Sequence, residues 1–304
     1  MELSDLFYEY PSIDDNNIQQ IITSKKELKI LGDEELDAAT IPSRGNFYPQ
    51  QTLIHRILTH YDRLLITSEP GTGKTGMTAG FAEKLKRDHM SGIKSYVDEY
   101  ISNDRSHYKR VYILLKNNSL VNQWRKEIVC KYSQSGDYES DHIKNAPTRQ
   151  AEKGRIKREI EKYYTITTYE KFAKNAYQIA DGGRKWGDMI WSKMPEYVRE
   201  VYSDCVFIVD EVHNLGDDNE ELEDDRDIIK LKKKKDKSKR LKDKIYDALH
   251  LLFHTIDRSK VILMSATPMI NFSNEIGPIM NLLLKLNMQT VSYTHLTLPT
   301  ILLV

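Results

Sequence analysis

Residues 64–75 read LLITSEPGTGKT, an apolar run ending in Thr67 and followed at once by Ser68-Glu69-Pro70-Gly71-Thr72-Gly73-Lys74-Thr75. A short apolar run bounded by turn residues reads as a buried strand. A tight glycine turn behind it, closed by lysine and threonine, is how a chain wraps backbone N–H groups around a phosphate chain. Gly71 and Gly73 accept backbone conformations that other residues resist, so successive N–H groups can face the anion. Lys74 would reach the β- and γ-phosphates of a nucleotide, and the Thr75 hydroxyl would ligate Mg²⁺. A helix from Lys74 onward would turn its positive end to the same anion. Ser68 stands where the strict pattern has glycine.

Working outward, four more apolar runs qualify as strands: Val111–Leu115, Tyr164–Thr167, Val206–Val209 and Val261–Met264. Each is nearly continuous, as expected of parallel strands covered on both faces. Helical stripes lie between them: Leu120, Val121, Trp124 and Ile128; Phe172, Ala173, Ala176 and Ala180; and Leu241 through Ile256. Another helix is expected from Pro49 to His60. Strands alternating with helices predict an α/β fold, a mainly parallel sheet with helices on both faces. Residues 1–46 form a polar, acidic N-terminal extension with a short helix expected from Leu3 to Tyr10. Charged insertions near 132–162 and 217–240 are expected as solvated excursions, the second running from DDNEELEDDRD into KLKKKKDKSKR.

Composition narrows the partners. Lys and Arg number 45 and Asp and Glu number 45, so the net charge is zero and any nucleic-acid contact must come from a local patch. The lysine run has no interleaved aromatics and follows an acidic block able to neutralise it. Cys130 and Cys205 make no metal-type pair and read as reduced, buried thiols. The N-terminus lacks an apolar signal segment, and no apolar run approaches the roughly 20 residues that span a bilayer. The expectation is a soluble, intracellular chain with no membrane partner.

A second stretch separates classes of chemistry. CVFIVDEVHNL, residues 205–215, puts Asp210 and Glu211 at the end of an apolar strand. In a parallel sheet the loops that follow the strands gather on one edge, so these carboxylates can face the phosphate loop. Asp210 would hold Mg²⁺, directly or through water, and Glu211 would orient and deprotonate an attacking water. A small-molecule kinase has no need of the second carboxylate, because its nucleophile is a substrate hydroxyl. The other reading of the pair is an ordinary helix N-terminus.

DEVH resembles the DExH box of superfamily 2 helicases and translocases, and SEPGTGKT resembles their first motif. The resemblance implies a RecA-like P-loop domain that binds ATP and Mg²⁺ through Ser68 to Thr75, with Lys74, Asp210 and Glu211 catalytic and Thr75 and Asp210 on the metal. FYPQQ resembles the segment that reads adenine, through Gln51 rather than Gln50; a polar residue at an exposed helix start is the alternative. VYILLKNNSLVNQWRKEI and YTITTYEKF resemble motifs that grip a nucleic-acid backbone, which implicates Asn117, Gln123, Thr167 and Thr168. Trp124 reads better as core than as a base-stacking platform. VILMSATPM supplies Ser265-Ala266-Thr267, the motif that relays nucleotide state to nucleic-acid grip, and His213 would pair with it or with a second motor domain. A satisfied structural histidine is the alternative there.

DEVHNL, SATPMIN and NEIGPIMNLLL further resemble the helicase-type ATPases of large DNA viruses, in the manner of the poxvirus early transcription factor small subunit. That implies DNA or RNA as partner, attachment to a viral transcription complex, and host cytoplasm or virion as location. Restriction-enzyme motor subunits share much of the set, and a nucleotide-binding switch without motor activity is a third possibility. Superfamily 2 motors use two RecA-like domains, and residues 270–304 are too few for the second. VSYTHLTLPT, residues 291–300, is similar to a translated transposon-end adapter of library preparation. The expectation is a first RecA-like, ATP-binding domain over 47–290, a non-native tail over 291–304, and near-basal hydrolysis from such a fragment.

Overall fold

Alternation of side chains along each strand builds two cores, one on either face of a single sheet. The computed structural model describes residues 17, 20–21, 47–91, 108–134, 137–180, 194–215, 228–268 and 275–289. The expected helix Leu3–Tyr10, residues 217–227 of the second insertion and the tail 291–304 lie outside the described residues.

The five expected strands are present, each within two residues of its expected limits: β1 (Arg63–Thr67), β2 (Arg110–Leu115), β3 (Tyr164–Thr168), β4 (Cys205–Val209) and β5 (Lys260–Ser265). All pair in parallel, in the order β1-β5-β4-β2-β3. The strand latest in sequence is therefore inserted between the phosphate-loop strand and the acid-pair strand. Thr67 lies in register with Ser265, and Val209 with Leu263. Because every strand runs the same way, the loops after Thr67, Leu115, Thr168, Val209 and Ser265 all open on one edge.

On β4, Val206 and Ile208 enter one core, while Cys205, Phe207 and Val209 enter the other. The first core is closed by α1 (Pro49–His60), α2 (Lys74–Ser91) and α3 (Asn118–Glu127), which continues into a π-helical turn at Ile128–Tyr132. Beyond α4 (Asp141–Lys144), the far end of α5 (Arg149–Tyr163) adds Ile160 and Tyr163 to the same core. The opposite core is closed by α6 (Tyr169–Ala180), α7 (Met194–Tyr202), α8 (Ile228–Thr255) and α9 (Ile276–Asn281). This is the α/β layer fold that the alternating pattern predicts, of the RecA-like kind that the resemblance implies.

The first charged insertion is largely exposed but anchored by a few buried side chains. Tyr138 and Ile143 are buried. The Tyr138 hydroxyl donates to Glu83 Oε1 at 3.0 Å, joined there by Tyr164 at 2.8 Å, while Lys86 Nζ lies 3.1 Å from Glu83 Oε2. Glu83 and Lys86 belong to α2, so this buried network fastens the first insertion to the helix that begins at the phosphate loop. In the second, α8 already starts at Ile228, so the lysine run has helical backbone continuous with the apolar stripe that ends near Ile256.

Candidate active site

The phosphate loop joins the end of β1 to the start of α2. Gly71 has φ +89° and Gly73 φ +85°, the left-handed region that favours glycine. A Cβ on Gly73 would meet Gln51 Nε2 at 2.6 Å, whereas open space surrounds Gly71. Glu69, Pro70 and Gly71 are exposed, and Thr72, Gly73, Lys74 and Thr75 are half-buried. Lys74 Nζ donates to Ser68 O at 2.8 Å and Glu69 O at 3.3 Å, which folds the ammonium over the loop. The Thr72 hydroxyl bonds Ser68 Oγ and Glu69 O, both at 2.8 Å. Ser68 N reaches Ser265 O at 3.4 Å, tying the root of the loop to β5.

Gln51 is buried and faces the loop from α1. Its Nε2 donates to Gly73 O at 3.2 Å, and its Oε1 accepts from Tyr48 N at 3.0 Å. His55, one turn on, faces Gly76 O at 3.2 Å, and burial lowers its pKa to about 4.

The acid pair stands at the end of β4. The Asp210 backbone N–H continues the ladder to Leu114 O at 3.0 Å, and its carboxylate accepts the Trp124 indole N–H at 3.0 Å. Burial raises the Asp210 carboxyl above its ordinary value, while the Trp124 bond and the charge of Lys74 oppose that shift. Glu211 has φ +52°, rare for a residue with a side chain. Its Oε2 accepts from Ala266 N at 3.4 Å, and its backbone oxygen accepts from Asn214 Nδ2 at 2.8 Å. His213 Nδ1 lies 2.9 Å from Ser265 Oγ and 3.4 Å from Glu211 Oε2. Ser265 Oγ also receives Thr267 N at 3.1 Å. Of the two expected partners for His213, the Ser265 segment is the one it meets.

The remaining candidates share the same edge, with Leu115 in register with Thr168. Asn117 caps α3, accepting Leu120 N at 3.1 Å, and Thr168 Oγ1 accepts Lys171 N at 3.3 Å at the start of α6. Gln123 bonds Glu127 Oε1 at 3.1 Å on an exposed face, and Thr167 is buried. Trp124 is core, as expected, but its indole also serves Asp210. Two further contributors were not singled out in the sequence. Tyr169 donates to Asp210 O and, at 3.2 Å, to Glu211 O; Lys116 Nζ reaches Asn214 Oδ1 at 2.5 Å. Both residues sit inside quoted motifs, but no spacing rule points them at an acid pair some 40 or 100 residues away.

A glycine-turn phosphate loop beside an acid pair, on the loop edge of a parallel sheet, defines a P-loop nucleotide-binding domain. The chain belongs to the family described as "Type III restriction enzyme, res subunit" (ResIII), which it matches over residues 45–270. It is similar to "Putative helicase 087L" of Invertebrate iridescent virus 3, with 27% identity over 246 residues covering 79% of this chain and 20% of that protein. It is also similar to a "Putative ATP-dependent RNA helicase" of Acanthamoeba polyphaga mimivirus, with 26% identity over 283 residues covering 91% of this chain and 39% of that one. The chain thus spans between 20% and 39% of the length of these relatives. Among solved structures it is similar to the DUF1998 helicase MrfA bound to DNA and AMPPNP, at TM-score 0.38 and 12% identity over 90% of this chain and 28% of that one. The family and the viral relatives identify the N-terminal motor domain of a superfamily 2 helicase-type ATPase. Among the described residues no helix is long and apolar enough to cross a membrane.

Proposed function

We propose that residues 47–290 act as the ATP-binding and ATP-hydrolysing domain of a nucleic-acid helicase or translocase. The observation that carries this reading is the shared anchor on β5: the root of the phosphate loop bonds Ser265 O through Ser68 N, and Glu211 of the acid pair accepts from the next residue, Ala266 N. The loop fits a nucleotide: two positive-φ glycines, open space at Gly71, and an ammonium resting on loop carbonyl oxygens that phosphate oxygens can replace. Each end of the Gln51 amide makes one bond, and a side-chain amide has a second N–H and a second lone pair to give. Those match the donor and acceptor on the edge of adenine.

Thr75 and Asp210 would hold Mg²⁺. Among the described residues there is no cluster of three His, Cys, Asp or Glu side chains. A sparse protein shell suits this ion, which is commonly held by one or two carboxylates together with substrate phosphates and water. Held there, the ion would supply positive charge that offsets that of the phosphate oxygens. Glu211 takes a proton from the attacking water; the new oxygen–phosphorus bond forms as the bond to the β–γ bridging oxygen breaks, leaving ADP and inorganic phosphate. Lys74 holds the charge that develops on the transferring phosphoryl group.

For the polymer, Asn117 and Thr168 cap α3 and α6, which follow the paired parallel strands β2 and β3 on opposite faces, so both helix N-termini lie at the same sheet edge. Helix N-termini bind phosphate through free backbone N–H groups, and Gln123 and Thr167 flank them. His213, Ser265 and Thr267 would carry nucleotide state to that track. The names of the viral relatives support a helicase, in one case an ATP-dependent RNA helicase; attachment to a viral transcription complex inside the host cell rests on the motif resemblance alone. The family's description favours a second reading, a restriction-type DNA translocase.

The test is nucleotide binding and phosphate release by the chain and its variants, with and without DNA or RNA. Lys74→Ala should weaken ATP binding. Glu211→Gln should keep binding and lose hydrolysis by about 10²–10⁴-fold, the range for a positioned general base. Wild-type turnover in Glu211→Gln would refute the base assignment, and acceleration by DNA but never RNA would favour the restriction-type reading.

A further inference from the structure

Two buried aromatic donors reach the acid pair, one from each segment assigned above to the polynucleotide. Trp124, in α3, is 2% exposed and donates its indole N–H to Asp210 Oδ2 at 3.0 Å. Tyr169, the first residue of α6, is 5% exposed and donates its hydroxyl to Asp210 O and Glu211 O. Neither belongs to the phosphate loop or to the His213–Ser265 contact.

The chemistry of the two donors differs. An indole N–H donates and cannot accept, so it presents a fixed positive dipole to a buried carboxylate. That bond, made at 3.0 Å by a rigid ring packed in the core, restrains the rotation of the carboxylate. A carboxylate that must meet a metal at about 2.0–2.1 Å gains from being held at one angle. Tyr169 acts on the backbone instead. Glu211 sits at φ +52°, a conformation disfavoured for a residue with a Cβ, so something must keep it there. Its carbonyl oxygen is held by the Tyr169 hydroxyl at 3.2 Å, Asn214 N at 3.0 Å and Asn214 Nδ2 at 2.8 Å. That turn takes the Glu211 side chain off the β4 direction and to Ala266 N.

We propose that Trp124 and Tyr169 are positioning residues for the acid pair. Trp124 fixes the rotation of the Asp210 carboxylate, and Tyr169 fixes the turn that presents Glu211. The arrangement also gives β2–α3 and β3–α6 a direct mechanical link to the acid pair, separate from the one through Ser265. The inference rests on the Mg²⁺ role proposed for Asp210, and its test is built to separate the two.

The measurement is the affinity of the chain for a fluorescent ATP analogue, once with Mg²⁺ and once with EDTA; the ratio is the contribution of the metal. Trp124→Phe should reduce that ratio by about 10–100-fold, the usual effect of removing a hydrogen-bond partner of a metal ligand, with the EDTA affinity unchanged. Replacing Trp124 by benzothienylalanine, which keeps the ring volume and lacks the N–H, should do the same and decides the matter if the phenylalanine variant does not fold. Tyr169→Phe should leave the ratio intact and slow single-turnover hydrolysis at saturating nucleotide. A full Mg²⁺ gain in a folded donor-less variant overturns the role of Trp124. Wild-type single-turnover hydrolysis in Tyr169→Phe overturns that of Tyr169. If Asp210→Ala also keeps the full gain, the metal lies elsewhere, and the Mg²⁺ assignment itself falls.

Discussion

His213 Nδ1 lies 2.9 Å from Ser265 Oγ, and the contact joins the ends of β4 and β5 across 52 residues of sequence. Its direction can be read from the neighbours. Lys116 Nζ bonds Asn214 Oδ1, which turns Asn214 Nδ2 toward His213 Nε2 at 3.1 Å. An amide –NH₂ only donates, so Nε2 accepts and Nδ1 carries the proton. That proton faces Ser265 Oγ, with Glu211 Oε2 3.4 Å away. One imidazole thus connects the proposed base to the end of β5 and, through Asn214, to the loop after β2.

If this contact relays rather than builds the site, His213→Ala and Ser265→Ala should each leave ATP affinity intact and abolish any acceleration of hydrolysis by DNA or RNA. Residues that act as one unit are non-additive. The double variant should therefore match either single one in phosphate-release assays, and a summed loss would show independent roles.

Gly73→Ala tests the loop. At φ +85° a residue with a Cβ is strained by roughly 1–2 kcal/mol, and the added carbon would sit 2.6 Å from Gln51 Nε2. Calorimetric ATP affinity should fall more than about tenfold, since 1.4 kcal/mol is a factor of ten. Adding Gln51→Ala removes the collision but not the strain, so at most part of the loss should return.

His55 predicts a pH dependence of stability. Burial depresses its folded pKa to about 4 from the ordinary 6.5, so the unfolded chain binds the extra proton first. The neutral ring's contribution is fully present above pH 6.5 and is lost as pH falls toward 4. The shift corresponds to roughly 3 kcal/mol at most. His55→Gln retains an N–H donor for Gly76 O and removes the titration. Its urea midpoint should be less sensitive to pH than wild type across that window, and equal slopes would refute the assignment.

Glu83→Ala should be among the more destabilising single changes. It strips Lys86 of its counter-charge and removes the acceptor of the Tyr138 and Tyr164 hydroxyls inside the protein. Breaking one side of a buried ion pair costs about 3–5 kcal/mol, readable from denaturant unfolding. Limited proteolysis should then cut residues 137–148 first, because this network anchors them.

The sequence by itself determined the five strands, the phosphate loop and the acid pair. Those are local matters: a continuous apolar run, a glycine turn and a charge at a strand end are each encoded within about ten residues. Only the tertiary structure decided that β5 lies between β1 and β4, which sets Ser265 in register with Thr67 and within reach of His213. Parallel strand order depends on how two sheet faces pack with their helices, and no local propensity carries it. The same holds for the Trp124 and Tyr169 donors, which span 86 and 41 residues. The anchors of the first charged insertion were not legible because exposed residues dominate its composition. Tyr138, Ile143, Ile160 and Tyr163, the few side chains that anchor it, become visible as core only once Glu83 and β3 are folded beneath them.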